Sequence, residues 1–171
     1  LAEELDSNSA VQNWGAVYTK STTIYNAEGE SASVSIVAAA KDSDLTRYVT
    51  FRTRKGHKAI GFDSGSAILT EKTAENLGLH TGDTFWVENT EGARVELTLT
   101  GITENYMFTR LYLPRAQLES LLGTAEIPWN TVYGQTTCTD AAGYNALRTD
   151  LLDCNYVSSI SFTEDTTELF D

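Results

Sequence analysis

Apolar and polar residues alternate along several segments of the chain, and a period of two residues predicts β-strands. The strongest alternation covers residues 93–103, where every second residue from Val95 to Leu99 is apolar and the residues between are polar. Two segments nearer the start, 14–25 and 33–39, alternate in the same way and are separated by turn-forming residues. We therefore expect antiparallel hairpins with one buried face.

Boundary residues predict helices among these strands. A polar cap or a Pro opens a helix, and a Gly that follows an apolar residue closes it. Helices are expected at residues 42–48, 71–77, 114–122 and 141–152, and residues 1–13 resemble the end of a further helix. Additional strands are expected at residues 49–54, 67–69, 84–88, 110–113, 129–136 and 156–162.

Strand–helix–strand units mixed with hairpins indicate an α+β fold, in which mixed or antiparallel sheet hairpins carry short helices. The 171 residues contain no repeat and no low-complexity linker, so a single domain covering residues 1–171 is expected. The run Asp63-Ser64-Gly65 interrupts the pattern, and a boundary between two lobes could fall near residues 63–66.

The composition narrows the choice of partner. Hydrophobic residues make up 41% of the chain, the formal net charge is −12 and the pI is near 4.5. A nucleic-acid ligand requires a basic face, so this charge argues against one. An acidic surface keeps a secreted-type domain soluble, and it mildly favours a cationic partner such as a basic peptide.

One segment carries the opposite charge. Five of the twelve Lys and Arg residues fall within one short window: Arg47, Arg52, Arg54, Lys55 and Lys58. Such a patch could bind an anionic head group, an anionic polymer or an acidic protein. The competing interpretation is a solvated hairpin edge that its charges protect from further strand pairing.

No segment carries a catalytic or cofactor signature. The Gly-rich phosphate loops, the zinc-protease helix motif and the nucleophile elbow do not occur. The two histidines, His57 and His80, fall in predicted turns, where solvated side chains are usual. We therefore expect a protein that is not an enzyme and binds neither a cofactor nor a metal ion. A hydrolase would need a pocket that joins a histidine to a serine and a carboxylate.

The two cysteines, Cys138 and Cys154, lack the spacing of a zinc site. In an oxidising compartment they could form a disulfide across the helix predicted between them. Closing a loop of this size stabilises a fold by roughly 3 kcal/mol in the chain-entropy model. Two independent buried thiols are the alternative.

No stretch approaches the roughly 20 apolar residues that span a bilayer. The first residues are acidic and lack the basic start of a signal peptide. Because the chain also begins without Met, we interpret it as a piece excised from a longer protein.

A family resemblance rests on the order of several short motifs: a buried strand, a helix that ends in a Leu-Gly-Leu step, a Gly-Asp turn, a hairpin, and a strand that enters a helix. These are Ala67-Ile68-Leu69, Ala74-Glu75-Asn76-Leu77-Gly78-Leu79, Gly82-Asp83-Thr84, Val95 to Ile102, and Leu111-Tyr112-Leu113-Pro114. This order resembles the extracellular region of FtsX-like ABC transporter permeases, including the MacB periplasmic core domain. The resemblance covers most of residues 65–171, and the end of the chain is similar to the run that enters the second transmembrane helix.

The resemblance implies an extracytoplasmic module of a bacterial membrane transporter. The intact permease would carry transmembrane helices on both sides of this domain, pair with a cytosolic ATPase and form a homodimer. The domain would couple ATP-driven motion to export, or bind an extracellular substrate or partner such as a peptide or a lipoprotein. The alternative from another class is a free-standing secreted or surface-anchored adhesion module, which requires a signal peptide and an anchor.

Overall fold

A computed structural model describes residues 2–105 and 108–153 of the chain. In these residues the helices are α1 (Ala2–Ser7), α2 (Asp42–Tyr48), α3 (Glu71–Leu77), α4 (Arg115–Leu122) and α5 (Ala141–Leu152). The strands are β1 (Val11–Tyr25), β2 (Ser31–Ala39), β3 (Ile68–Thr70), β4 (Thr84–Glu88), β5 (Arg94–Thr98), β6 (Gly101–Thr103), β7 (Arg110–Tyr112) and β8 (Thr131–Thr136). This mixture of strands and short helices confirms the predicted α+β class.

The chain divides into two compact units. The larger unit is Gly15–Tyr133, and the smaller unit combines Leu1–Trp14 with Gly134–Asp171. Residues 63–66, where the sequence suggested a boundary between lobes, lie inside the larger unit. The single domain spanning the whole chain stays a prediction.

The strands form one mixed sheet in the order β5-β4-β1-β2-β7-β3-β6, and β8 pairs with β1. β1 and β2 form an antiparallel ribbon with nine residue pairs, from Val17 opposite Ala39 to Tyr25 opposite Ser31. The β2–β7 and β3–β6 pairs are parallel, whereas β4 and β5 form the expected antiparallel hairpin. The predicted ribbon and hairpin are therefore confirmed within a sheet that also contains parallel neighbours.

The segment 93–103 does not form the single strand that its alternation predicted. It is split into β5 and β6, which lie at opposite ends of the strand order although only Leu99 and Thr100 separate them. Three consecutive Cα–Cα steps join Thr98 to Gly101, so these two residues lie at most about 11 Å apart. The sheet of the larger unit must therefore curl until its two edges nearly meet.

The β1–β2 ribbon is buried on both faces. The even-numbered residues Tyr18, Ile24 and Ile36 belong to one apolar cluster, which α3 and α4 complete. On the opposite face Val17 and Val37 belong to a second cluster, which contains the following residues of other elements: Leu45, Phe51, Ile68 and Tyr112. Successive strand residues point to opposite faces, so both faces can contribute to the core.

The strand predicted at residues 49–54 does not form. The only pairing there is an isolated bridge between Arg52 and Ala59, and Phe51 instead packs its ring against those of Tyr112 and Phe62, with centroids 5.0 and 5.1 Å away. An alternating segment forms a strand only if a neighbouring strand is available to pair with it. This segment has no such neighbour, because the chain turns back after Arg54 and pairs only at Arg52 and Ala59. Its apolar residues pack into the second cluster, although the segment is a loop.

The helix boundaries confirm some of the predicted signals and correct others. The Asp140 carboxylate accepts a hydrogen bond from the Gly143 N–H at 2.7 Å and caps α5 as predicted. Thr70 is the residue before α3, but its hydroxyl accepts from the Arg110 N–H instead of capping the helix. Likewise, the Asp42 carboxylate accepts from the Arg115 N–H, because the neighbouring helix α4 leaves that donor free.

Two further predicted elements need comment. The helix expected over residues 1–13 ends at Ser7, because β1 already begins at Val11. The closing strand expected at residues 156–162 lies outside the described residues.

Two hairpin turns share the same chemistry. Asn26 begins the turn between β1 and β2, and its side-chain oxygen accepts from the N–H groups of Glu28 and Glu30. Asn89 begins the turn between β4 and β5, and its oxygen accepts from the N–H groups two and four residues later in the same way. In each turn the fourth residue is a Gly with a φ of 84° or 80°, which only glycine adopts readily. The predicted turns are confirmed.

Only Asn26 has a second role. It is 4% exposed, and its side-chain amide also donates to the Leu77 carbonyl at 3.0 Å, which ties the β1–β2 turn to the end of α3. Asn89 has no corresponding donor bond among the described residues.

We expect Asn26→Asp to lower the free energy of unfolding by about 1–3 kcal/mol, because the carboxylate cannot donate to Leu77 and is itself buried. The matched variant Asn89→Asp keeps the acceptor that its turn uses and should change stability by less than about 0.5 kcal/mol. Urea unfolding of both variants measures the difference. Equal losses would contradict the special role of Asn26.

Candidate functional site

The predicted basic patch lies on α2 and on the loop that follows it. The loop is narrow at its base, where the Ile60 N–H donates to the Phe51 carbonyl and the Thr53 N–H donates to the Lys58 carbonyl. At its tip Gly56 and His57 have positive φ values of 82° and 47°. The turn predicted around His57 is thereby confirmed.

The arginines of the patch are paired with carboxylates. The Arg52 Nε lies 3.1 Å from a carboxylate oxygen of Glu104, and the Arg54 Nε lies 2.7 Å from Glu71 Oε2. The hydrogen bond to Glu71 raises the pKa of the Arg54 guanidinium, because it stabilises the charged form. Much of the positive charge that the sequence predicted is therefore neutralised locally.

The remaining cations differ in their surroundings. Arg47 lies 4.0 Å from Asp44, one turn earlier on α2. Lys55 and Lys58 are exposed, and neither has an ion-pair partner within residues 2–105 and 108–153. The five basic residues thus face three carboxylates, and the surplus charge lies on the two lysines.

A groove of about 270 Å³ lies elsewhere on the larger unit. Tyr18, Ile36, Leu121 and Leu122 form its apolar lining. Its polar lining comes from the segment 20–23 of β1 and from the following residues at the end of β4: Glu88, Asn89 and Thr90. Burial raises the pKa of the Tyr18 phenol. No motif signalled this groove, because its lining comes from four separate segments of the chain.

The side chains of the two histidines are exposed, and each lies near one carboxylate. The His57 side chain is 60% exposed and its Nε2 lies 4.0 Å from Glu104, while the His80 side chain is 85% exposed and its Nδ1 lies 3.6 Å from Asp83. In the part of the chain that the structure describes, neither ring has a serine hydroxyl as a hydrogen-bond partner. The pocket that a Ser-His hydrolase requires does not form around either histidine there.

Asp83 has the turn role that was predicted for it. Its carboxylate accepts from the His80 N–H at 2.8 Å, and Gly82 has a φ of 98°. Among the described residues, no three side chains of the His, Cys, Asp and Glu types come together as a metal site would require.

Cys138 is partly buried, between β8 and α5. Its expected disulfide partner Cys154 lies outside the described residues, so the pairing stays a prediction. An intact-mass measurement before and after reduction would decide it, since a disulfide gains two hydrogens.

Within residues 2–105 and 108–153, no helix combines the length and the apolar character that a membrane crossing requires.

Comparison with known proteins identifies the fold. The extracellular domain of the noncanonic ABC-type transporter YknZ from Gram-positive bacteria superposes with a TM-score of 0.56 and 19% identity, over 85% of this chain and 75% of that one. The periplasmic region of MacB from Actinobacillus actinomycetemcomitans superposes with a TM-score of 0.55 and 12% identity, over 99% of this chain and 79% of that one. No family model and no curated sequence matches the chain.

The chain therefore has the fold of the extracytoplasmic domains of ABC transporter permeases. This confirms the resemblance to such domains that was inferred from the order of the short motifs. The motif helix ends as that resemblance implied: Gly78 has a φ of 62°, and the Leu79 N–H donates to the Ala74 carbonyl at 2.8 Å.

We expect release of the paired arginines to strengthen binding to an anionic polymer. In Glu71→Gln/Glu104→Gln, Arg52 and Arg54 lose their charged partners, so the 171-residue chain should elute from heparin at a higher salt concentration. The control Glu91→Gln/Glu96→Gln removes the same charge from exposed positions on the β4–β5 hairpin. Identical elution of both double variants would show that the pairs do not mask the arginines.

Proposed function

We propose that this chain is the extracytoplasmic module of an FtsX- or MacB-like ABC transporter permease. The observation that carries the proposal is the extent of the structural similarity, which spans 85% and 99% of this chain against two such domains. A fold by itself does not define a function, so the motifs and the surface must support the same conclusion.

The arrangement of the chain supports a role in coupling. α1 and α5 both belong to the smaller unit, so connections to membrane helices on either side of the domain can leave from one unit. β1 and β8 each contain residues of both units.

In this role the chain performs no catalysis. ATP hydrolysis belongs to a cytosolic ATPase, and the permease transmembrane region carries the motion to the outer face of the cell membrane. The transporter would act as a homodimer, with peptides or lipoproteins as its cargo. The net charge of −12 favours cationic peptides among these.

The basic patch has a place in the same proposal. Two of its lysines, Lys55 and Lys58, lie at an exposed loop and suit contact with an anionic head group or polymer near the outer surface. Arg47, Arg52 and Arg54 contribute less, because each already lies near a carboxylate.

We expect the domain to be accessible from outside the cell. In the full-length gene product, Glu91→Cys places a thiol on the exposed β4–β5 turn, and a membrane-impermeant maleimide should label it in intact cells. The unmodified full-length protein controls for labelling of the native cysteines. Labelling of the introduced thiol only after permeabilisation would refute the outer location.

We also expect the full-length gene product to hydrolyse ATP when it is purified from its own membrane with its bound partners. A transporter permease retains an ATP-binding subunit, whereas a secreted or surface-anchored adhesion module does not. Sequencing of the co-purified proteins and the rate of ATP hydrolysis measure this. A product without an ATPase would favour the adhesion module.

A further inference from the structure

The outer edge of β1 is open over a short segment. The Ala40 N–H donates to the Ala16 carbonyl, so the even-numbered residues of β1 direct their main-chain groups towards β2. The odd-numbered residues direct theirs to the other edge. There Asn130 bonds the main chain of Val17 and Thr19, and β4 pairs with β1 at Ile24 and Tyr25.

Between these two neighbours, no strand of the described residues pairs with Lys20 and Ser21 on this side, and the Thr22 hydroxyl donates to the carbonyl of Glu88, the last residue of β4. Ser21 is the odd-numbered residue in its middle, and it is exposed. Within residues 2–105 and 108–153, no group bonds the outward N–H and C=O of Ser21. An unpaired strand edge with both a donor and an acceptor is the surface to which an extended peptide adds.

The open edge lies directly beside the groove. The segment 20–23 forms one side of it. In its apolar lining Leu122 is partly exposed, whereas Tyr18, Ile36 and Leu121 are buried beneath it. Alternate side chains of an added strand point the same way, so one peptide side chain can enter this lining while its main chain meets Ser21. Four residues of edge extend about 13 Å, which is long enough for a peptide of three residues.

Lys20 supplies a charge at the same place. Lys20 lines the groove and has no ion-pair partner in the described part of the chain, although the protein as a whole is acidic. Glu88 also borders the groove; its carboxylate accepts a hydrogen bond from the Tyr25 hydroxyl at 3.0 Å, and among the described residues it forms no ion pair with Lys20. Lys20 is therefore positioned to attract an anionic group of a ligand.

We propose that this groove binds an extended peptide segment that carries a carboxylate. The peptide main chain completes the edge of β1 at Ser21, an apolar side chain packs against Leu122 in the groove, and the carboxylate pairs with Lys20. The biological setting of this binding rests on the proposed transport function, for which such a segment would be cargo or a partner protein.

The test uses the 171-residue chain, labelled with ¹⁵N, and the N-acetylated tripeptide Val-Thr-Leu with a free carboxyl end. Addition of the peptide should shift the amide signals of residues 20–23 in an NMR titration. Methylation of the central peptide nitrogen should weaken binding about tenfold or more, because it removes a main-chain donor. Amidation of the carboxyl end should weaken it about two- to fivefold, as expected for one exposed charge pair.

The variant Lys20→Gln identifies the charge partner. In this variant the free and the amidated peptides should bind equally, whereas the control Lys41→Gln, which removes one exposed lysine elsewhere, should retain the difference. The carboxylate of a ligand can come from the end of its chain or from an acidic side chain. An amidated peptide with Asp at its end carries only the side-chain carboxylate, and its binding distinguishes these two sources.

Three outcomes would overturn the proposal: equal binding of the N-methylated peptide, shifts confined to other surfaces, or no shift at millimolar peptide. None of them would bear on the transport function, which depends on co-purification of an ATPase. Conversely, peptide binding without an associated ATPase would preserve the groove and overturn the transporter.

Discussion

The short connection between β5 and β6 is the constraint on which the larger unit depends. Leu99 and Thr100 join two strands from opposite ends of the sheet order, so the sheet can only form if it curls. Main-chain bonds hold the connection at both ends: Leu99 bonds Gly82 and Asp83, and the Thr100 N–H donates to the Ala67 carbonyl. The Gly-Asp turn at Gly82 and Asp83 therefore places the backbone where it can form both hydrogen bonds with Leu99. Leu99 is itself fully buried, and the interior of the curled sheet is the apolar cluster to which it belongs.

Local signals in the sequence were sufficient to predict the turns and helix ends whose conformation depends on their own residues. The hairpin turns at Asn26 and Asn89, the helix stop at Gly78 and the cap at Asp140 follow from conformations that their own side chains favour, and all are present. The split of segment 93–103 was not predictable in this way, because β6 forms only where β3 accepts it. Likewise, the fold brings Glu71 to Arg54 and Glu104 to Arg52, and these carboxylates are distant in sequence. The cluster of basic residues in the sequence therefore predicted more free positive charge than the structure leaves for a ligand.

Similarity of fold at 12% and 19% identity indicates what this architecture requires. A core tolerates many combinations of apolar side chains if their pattern and total volume are kept. The β1–β2 ribbon needs apolar residues on both faces over part of its length, and that demand can be met by many sequences. Surface residues carry no such demand. Binding properties can therefore differ between domains of this fold, and they must be argued from the residues of each chain.

The two candidate surfaces of this chain differ in what a ligand would find. At the loop after α2, an anion would compete with carboxylates that already hold the arginines, and exposed charge pairs contribute little in water. At the groove, a peptide meets main-chain groups of Ser21 that no described residue bonds, together with the partly exposed side chain of Leu122. Hydrogen bonds and apolar contact there require no existing bond to be broken. The groove, which no sequence motif signalled, is for this reason the stronger site for a peptide. The loop after α2 offers a ligand only contacts between charges.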